Sequence, residues 1–138
     1  MKIIVDKSIA DLGKKTIVLA IAKHVNPSAS LSENFLAKQK EMEEWALHCD
    51  TEEALRHPVN QGYVDSISAV GRSTKKNPPT AIALIENIKR RGSIPHINSI
   101  VDIYNVESLR SFLAIGGHDY DKIDEEICFT VSKKEDVF

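Results

Sequence analysis

Residues 90–123 read RRGSIPHINSIVDIYNVESLRSFLAIGGHDYDKI. Lys89, Arg90 and Arg91 suit the carbonyl end of a helix, and Gly92 stops it, because glycine tolerates the left-handed exit. Pro95 and Asn98 then start a second helix, with Ile97, Ile100, Val101 and Tyr104 on one side. Asp102 and Asn105 are three residues apart, so they share a face close to that apolar stripe. A buried Asp or Asn needs partners, so the pair is either a structural network or a site. Gly116 and Gly117 break the chain and allow positive φ or the close approach of another group. His118 follows directly. A histidine after such a turn serves in a cleft as acid, base or donor, or stands exposed on an ordinary turn. His118, Asp119 and Asp121 also sketch a metal cluster, but a single nitrogen ligand makes a poor set.

Upstream, Thr80 opens the helix that ends at Arg91, and its apolar face is Ala81, Leu84, Ile85 and Ile88. The loop before it, Arg72 to Pro79, is RSTKKNPP. Arg72, Lys75, Lys76, Lys89, Arg90 and Arg91 thus bracket one helix and concentrate the positive charge of the chain. Phosphate contacts are one reading; a solvated face with compensation of the helix dipole is the other. Val59, Tyr63, Ile67 and Val70 step at helical spacing between Pro58 and Gly71. Leu31, Phe35, Met42, Trp45, Ala46 and Cys49 form an earlier stripe, capped by Ser30 or Ser32 and expected to pack on a sheet. Lys2–Val5 and Thr16–Ala22 (TIVLAIA) read as strands, with a helical turn at Ser8–Leu12 closed by Gly13. Ile127–Val131 reads as a final strand. The order is strand, strand, four helical stretches, strand, so the fold class is α+β.

The chain has 138 residues, with 18 Lys plus Arg against 20 Asp plus Glu and a net charge of −2. That size fits one domain, and the near balance excludes a nucleic-acid clamp driven by bulk charge while permitting a local basic patch. No apolar run approaches the ~18–20 residues of a membrane span. Asp6 and Lys7 interrupt the opening MKIIVDKS, so it is not a signal peptide. Cys49 and Cys128 then read as reduced thiols in a cytoplasmic protein, without the spacing of a zinc site. The GxGxxG, Walker, GxSxG and HExxH motifs do not occur.

Residues 77–123, NPPTAIALIENIKRRGSIPHINSIVDIYNVESLRSFLAIGGHDYDKI, resemble the B3/B4 domain of the phenylalanyl-tRNA synthetase beta subunit, and look closest to its short free-standing members. The resemblance rests on Lys89-Arg90-Arg91-Gly92, Ile94-Pro95, Ile97-Asn98, Val101-Asp102-Ile103-Tyr104-Asn105 and Ser108-Leu109. It closes with the glycine turn into His118-Asp119-Tyr120-Asp121. It covers about Arg72 to Ile123 and implies a mixed β-sheet packed with several α-helices.

The resemblance implies editing: hydrolysis of the ester of tRNA(Phe) mischarged with tyrosine, without a cofactor or metal. Asn105 matches the asparagine of the family's VDxxN element, which lines the amino-acid pocket. Asp102, Tyr104, Gly116 and Gly117 are the accompanying substrate-binding residues. Tyr104 stands where bacterial synthetases have threonine, and its greater bulk would narrow the pocket or alter what it accepts. His118 matches the histidine of the family's HxFD element and is the catalytic candidate, though its separation from Asn105 is longer than in bacterial synthetases. The basic residues Arg72, Lys75, Lys76, Lys89, Arg90 and Arg91 would hold tRNA phosphates. The family's tyrosine-selecting glutamate lies beyond Phe138. The expectation is therefore one B3/B4-like domain over residues 1–138, incomplete at its C-terminal end. A non-catalytic module for tRNA or an amino-acid-like ligand is the alternative, and a partner-binding domain with an empty pocket the third. No membrane partner is expected, and the open edge of a small sheet admits a second copy of the chain.

Overall fold

The computed structural model describes residues 1–13, 16–133 and 136. The chain forms two compact units, His24–Gly117 and Met1–Lys23 with His118–Phe138.

The unit His24–Gly117 is helical. Helix α2 spans Glu33–His48, and its start is fixed by Ser32, whose Oγ accepts from the Phe35 amide at 3.3 Å. A cap of this kind stabilises a helix by about 1 kcal/mol. Helix α3 covers Thr51–Arg56 under an Asp50 cap that accepts from the amides of Glu52 and Glu53. Helix α4, Pro58–Ala69, begins with a proline, where the missing N–H has no partner to lose. Helix α5 is Thr80–Arg91, and Gly92 leaves it with φ of +89°. Helix α6 is Ser99–Ser111.

Helix α5 is the centre of this unit and packs on α2, α3 and α6. Its 3.6-residue stripe is borne out: Ala81, Leu84, Ile85 and Ile88 are buried, joined by Ile82. Ala46, Ala54, Ile94, Val106 and Leu109 complete the core, with Phe35, Met42 and Cys49 packed against it. Each fully buried isoleucine contributes about 1.5–3 kcal/mol. The α2 stripe therefore lies on the helices α5 and α6, not on a sheet as its periodicity alone suggested. The same spacing serves either surface.

The other unit holds the sheet. Strand β1, Lys2–Val5, pairs in parallel with β2, Glu126–Phe129, in the register Lys2–Glu126 through Val5–Phe129. Lys2 N donates to Glu125 O and Asp6 N to Phe129 O, extending the ladder at both ends. Helix α1, Lys7–Asp11, follows under an Asp6 cap and ends at Gly13, φ +74°. The second expected strand is not formed: Thr16–Ala22 takes no place in the ladder, and Val18 is 85% exposed. β-branched composition favours a pleated surface only where a partner strand supplies hydrogen bonds and packing. Ile17 and Leu19 instead line an open apolar cleft of about 180 Å³ with Ile3, Val5, Ile9, Thr16 and Phe129. The fold is α+β, as expected. Among the described residues its sheet has two strands, and β2 ends at Phe129. No described helix is long and apolar enough to cross a membrane.

Candidate functional site

The turn between α5 and α6 is pinned at several points. After Gly92, the Ile94 side chain is buried and its amide donates to Glu43 Oε1 of α2 at 2.9 Å. Pro95 fixes its own φ and biases the chain toward extended geometry. Asn98 caps α6, its Oδ1 accepting from the amides of Ile100 and Val101 at 3.1 and 3.0 Å. Ser99 donates through its amide to Pro27 O at 3.1 Å and through its hydroxyl at 2.9 Å.

Asp102 sits in the first turn of α6, where a carboxylate suits the positive end of the helix dipole. Its side chain is 3% exposed. Oδ1 accepts from the Ile97 amide at 3.2 Å, and Oδ2 lies 2.5 Å from Nδ1 of His96. Since a carboxylate oxygen accepts, Nδ1 carries the hydrogen, which leaves Nε2 of a neutral imidazole as the acceptor. The His96 side chain is 79% exposed. A buried acid thus orients a histidine that faces water.

The buried face of α6 carries Ser99, Asp102, Val106 and Leu109. This corrects the apolar stripe expected from Ile97, Ile100, Val101 and Tyr104. Ile97 is exposed and precedes the helix, and the other three are only half-buried. Asp102 goes inward because the Ile97 amide and the His96 ring satisfy it there. Asn105, one turn on, is half-buried, and its side chain has no hydrogen-bond partner among the described residues. Tyr104 is also half-buried. A Cβ at Gly117 would stand 3.5 Å from its Cε1, which is ordinary contact. Neither Gly116 nor Gly117 has positive φ, so the glycine pair meets no backbone requirement of that kind. Ala114 N, just upstream, donates to the Tyr63 hydroxyl oxygen of α4 at 2.9 Å.

Asp102, Tyr104, Asn105, Gly116 and Gly117 therefore belong to the helical unit, while His118 opens the return segment of the other. His118 is exposed. Asp119 beside it caps a short 3₁₀ turn, Tyr120–Lys122, accepting from the Asp121 amide at 3.1 Å. Among the described residues, no group of three His, Cys, Asp or Glu is placed to hold a metal ion.

The six cations fall into two groups separated by α5, about 18 Å long. Lys89 is engaged: Nζ donates to Cys49 O at 2.6 Å and Thr51 Oγ1 at 2.9 Å, tying the α2–α3 junction. Arg90 Nη2 donates to Asn87 Oδ1. Lys75, Lys76 and Arg91 are exposed. Burial pushes the Cys49 thiol upward, against the opposing pull of Lys89.

His96 is the residue that the sequence reading missed. Its signal was the acid six positions later across a helix cap, visible only once Asn98 is placed as that cap. A family model described as the B3/4 domain matches residues 63–138. Neither the curated proteins nor the solved structures give a match.

Proposed function

From its membership of the B3/4 domain family, we propose that this chain hydrolyses the ester of mischarged aminoacyl-tRNA in trans, with Tyr-tRNA(Phe) as the type of substrate. The observation that carries the reading is the family match itself. Its span, residues 63–138, contains Asp102, Tyr104, Asn105, Gly116, Gly117 and His118 together. The chemistry is a modest demand. The ester is already activated, so the protein must position water and stabilise a developing oxyanion. His118 positions water or the terminal ribose. Asn105, whose amide is unpartnered, hydrogen-bonds the amino-acid end. Asp102 orders the start of α6 and so the placement of Asn105 one turn later. Tyr104, Gly116 and Gly117 are the accompanying substrate-binding residues. Arg72, Lys75, Lys76, Arg90 and Arg91 contact tRNA phosphates, with Lys89 contributing charge from its tied position. The reading places this work in the cytoplasm.

The test is release of tyrosine from Tyr-tRNA(Phe), with Phe-tRNA(Phe) as control. The expected result is release of tyrosine that falls about 100-fold in His118→Ala. Retention of tRNA on a filter without release would replace hydrolysis by a binding module. Neither release nor retention at low salt would leave a partner-binding domain.

A further inference from the structure

We propose that His96 is the general base of the hydrolysis and Asp102 its positioning residue, an inference that rests on the deacylase reading above. The geometry has the two parts a base of this kind needs. The Asp102 carboxylate is almost wholly withdrawn from water, yet one of its oxygens is committed to a ring that is 79% exposed. Capping the turn requires only the Ile97 amide, which Oδ1 already accepts at 3.2 Å. An exposed histidine gains nothing in solubility from a buried acid. What the second bond at 2.5 Å does is fix the tautomer and hold the ring plane. Nε2 is then the free acceptor, and its ring is mostly open to water.

The ring also stands on a firm base. Two residues before it, Ile94 is buried and bonded to Glu43; two residues after it, Asn98 caps α6. Asn105 follows Asp102 by three positions on the same helix, so the acid that orients the base and the amide assigned to the amino-acid end share α6.

Nε2 of His96 takes a proton from water as the water oxygen attacks the ester carbonyl carbon. Asp102 stabilises the imidazolium that results, by the Nδ1–H bond already in place. The tetrahedral intermediate then collapses with cleavage of the bond between the carbonyl carbon and the ribose oxygen. The proton on Nε2 passes to that oxygen. The products are the free amino acid and tRNA with its hydroxyl restored. No oxidant, reductant or further reactant enters. His118 keeps the role of positioning water or ribose.

The experiment is single-turnover release of tyrosine from Tyr-tRNA(Phe) by the full chain, its His96→Gln, His96→Ala, Asp102→Asn and His118→Ala variants, with circular-dichroism melts of each. We expect His96→Gln to lose at least 100-fold in rate with tRNA retention unchanged. Imidazole added to the buffer restores part of the His96→Ala rate but none of that lost in His118→Ala. Asp102→Asn lowers the rate with retention unchanged. Should Asp102→Asn fail to fold, the two exposed-site His96 variants decide alone. Release by His96→Gln at the parental rate overturns the base assignment and leaves the deacylase reading standing. So does a loss in His96→Ala that imidazole does not rescue. A parental chain that releases nothing overturns both.

Discussion

Lys38 Nζ and Glu107 Oε1 meet at 2.6 Å across the contact between α2 and α6, and Arg110 Nε holds the other oxygen of Glu107 at 2.8 Å. The Lys38 hydrogen bond, then that of Arg110, keeps the Glu107 carboxyl below its ordinary value of 4.5. A depressed carboxylate stabilises the fold above the unfolded value, and that contribution is lost as pH falls through the folded one. The urea midpoint of the parental chain should therefore drop more steeply below about pH 4.5 than that of Lys38→Met. At pH 7, Lys38→Met should cost about 0.5–1 kcal/mol, since both side chains are partly solvated. Parallel pH profiles for the two proteins would remove this pair from the account.

Phe112 ends α6 in the left-handed region, φ +59° and ψ 7°. Its ring lies 4.7 Å from that of His57 and 6.0 Å from that of Trp45, centroid to centroid. Packing holds a side chain where glycine would fit without strain. Truncation should destabilise, but Phe112→Gly should be more stable than Phe112→Ala by about 1 kcal/mol, the reverse of their usual order. Chemical denaturation followed by the fluorescence of Trp45, the single tryptophan of the chain, measures both. Alanine as the better replacement would show that the strain is not there.

Among the cations, Lys75, Lys76 and Arg91 are exposed, whereas Lys89 is bonded to Cys49 O and Thr51 Oγ1. If phosphates are held here, neutralising any of the first three should lower the slope of log affinity against log salt by about 0.7–0.9, with thermal stability unchanged. Lys89→Met should also cost about 1 kcal/mol of stability, because it strips two acceptors of their donor. Filter binding across a salt series, beside urea melts, separates the two classes. Unchanged slopes in all four variants would sink the phosphate assignment.

Where local spacing decides an element, the sequence was readable. Ala81, Leu84, Ile85 and Ile88 repeat at the helical period, and all four are buried. Ser32 and Asn98 announce the helices they cap. Where a distant partner decides, it was not. Thr16–Ala22 has strand composition but no partner strand. Helix α3 is six residues long, too short to show a period, and its signs were the Asp50 cap and the end charges Glu52, Glu53 and Arg56. On α6 the apolar residues pointed to one face and the hydrogen bonds of Asp102 selected another. The same bonds bring His96 to Asp102. Asp102 was legible as a residue needing partners, but its partner His96 depends on how Pro95 and Asn98 turn the chain.

The pairing of β1 with β2 has a consequence for synthesis. Lys2–Val5 leaves the ribosome first, and its partner Glu126–Phe129 follows about 120 residues later. At ordinary elongation speeds that wait is on the order of ten seconds. The helical unit completes its local contacts in that interval, while an apolar strand waits with an unsatisfied edge. A synonymous-codon change that slows translation between these segments lengthens the exposure without altering a single atom of the folded protein.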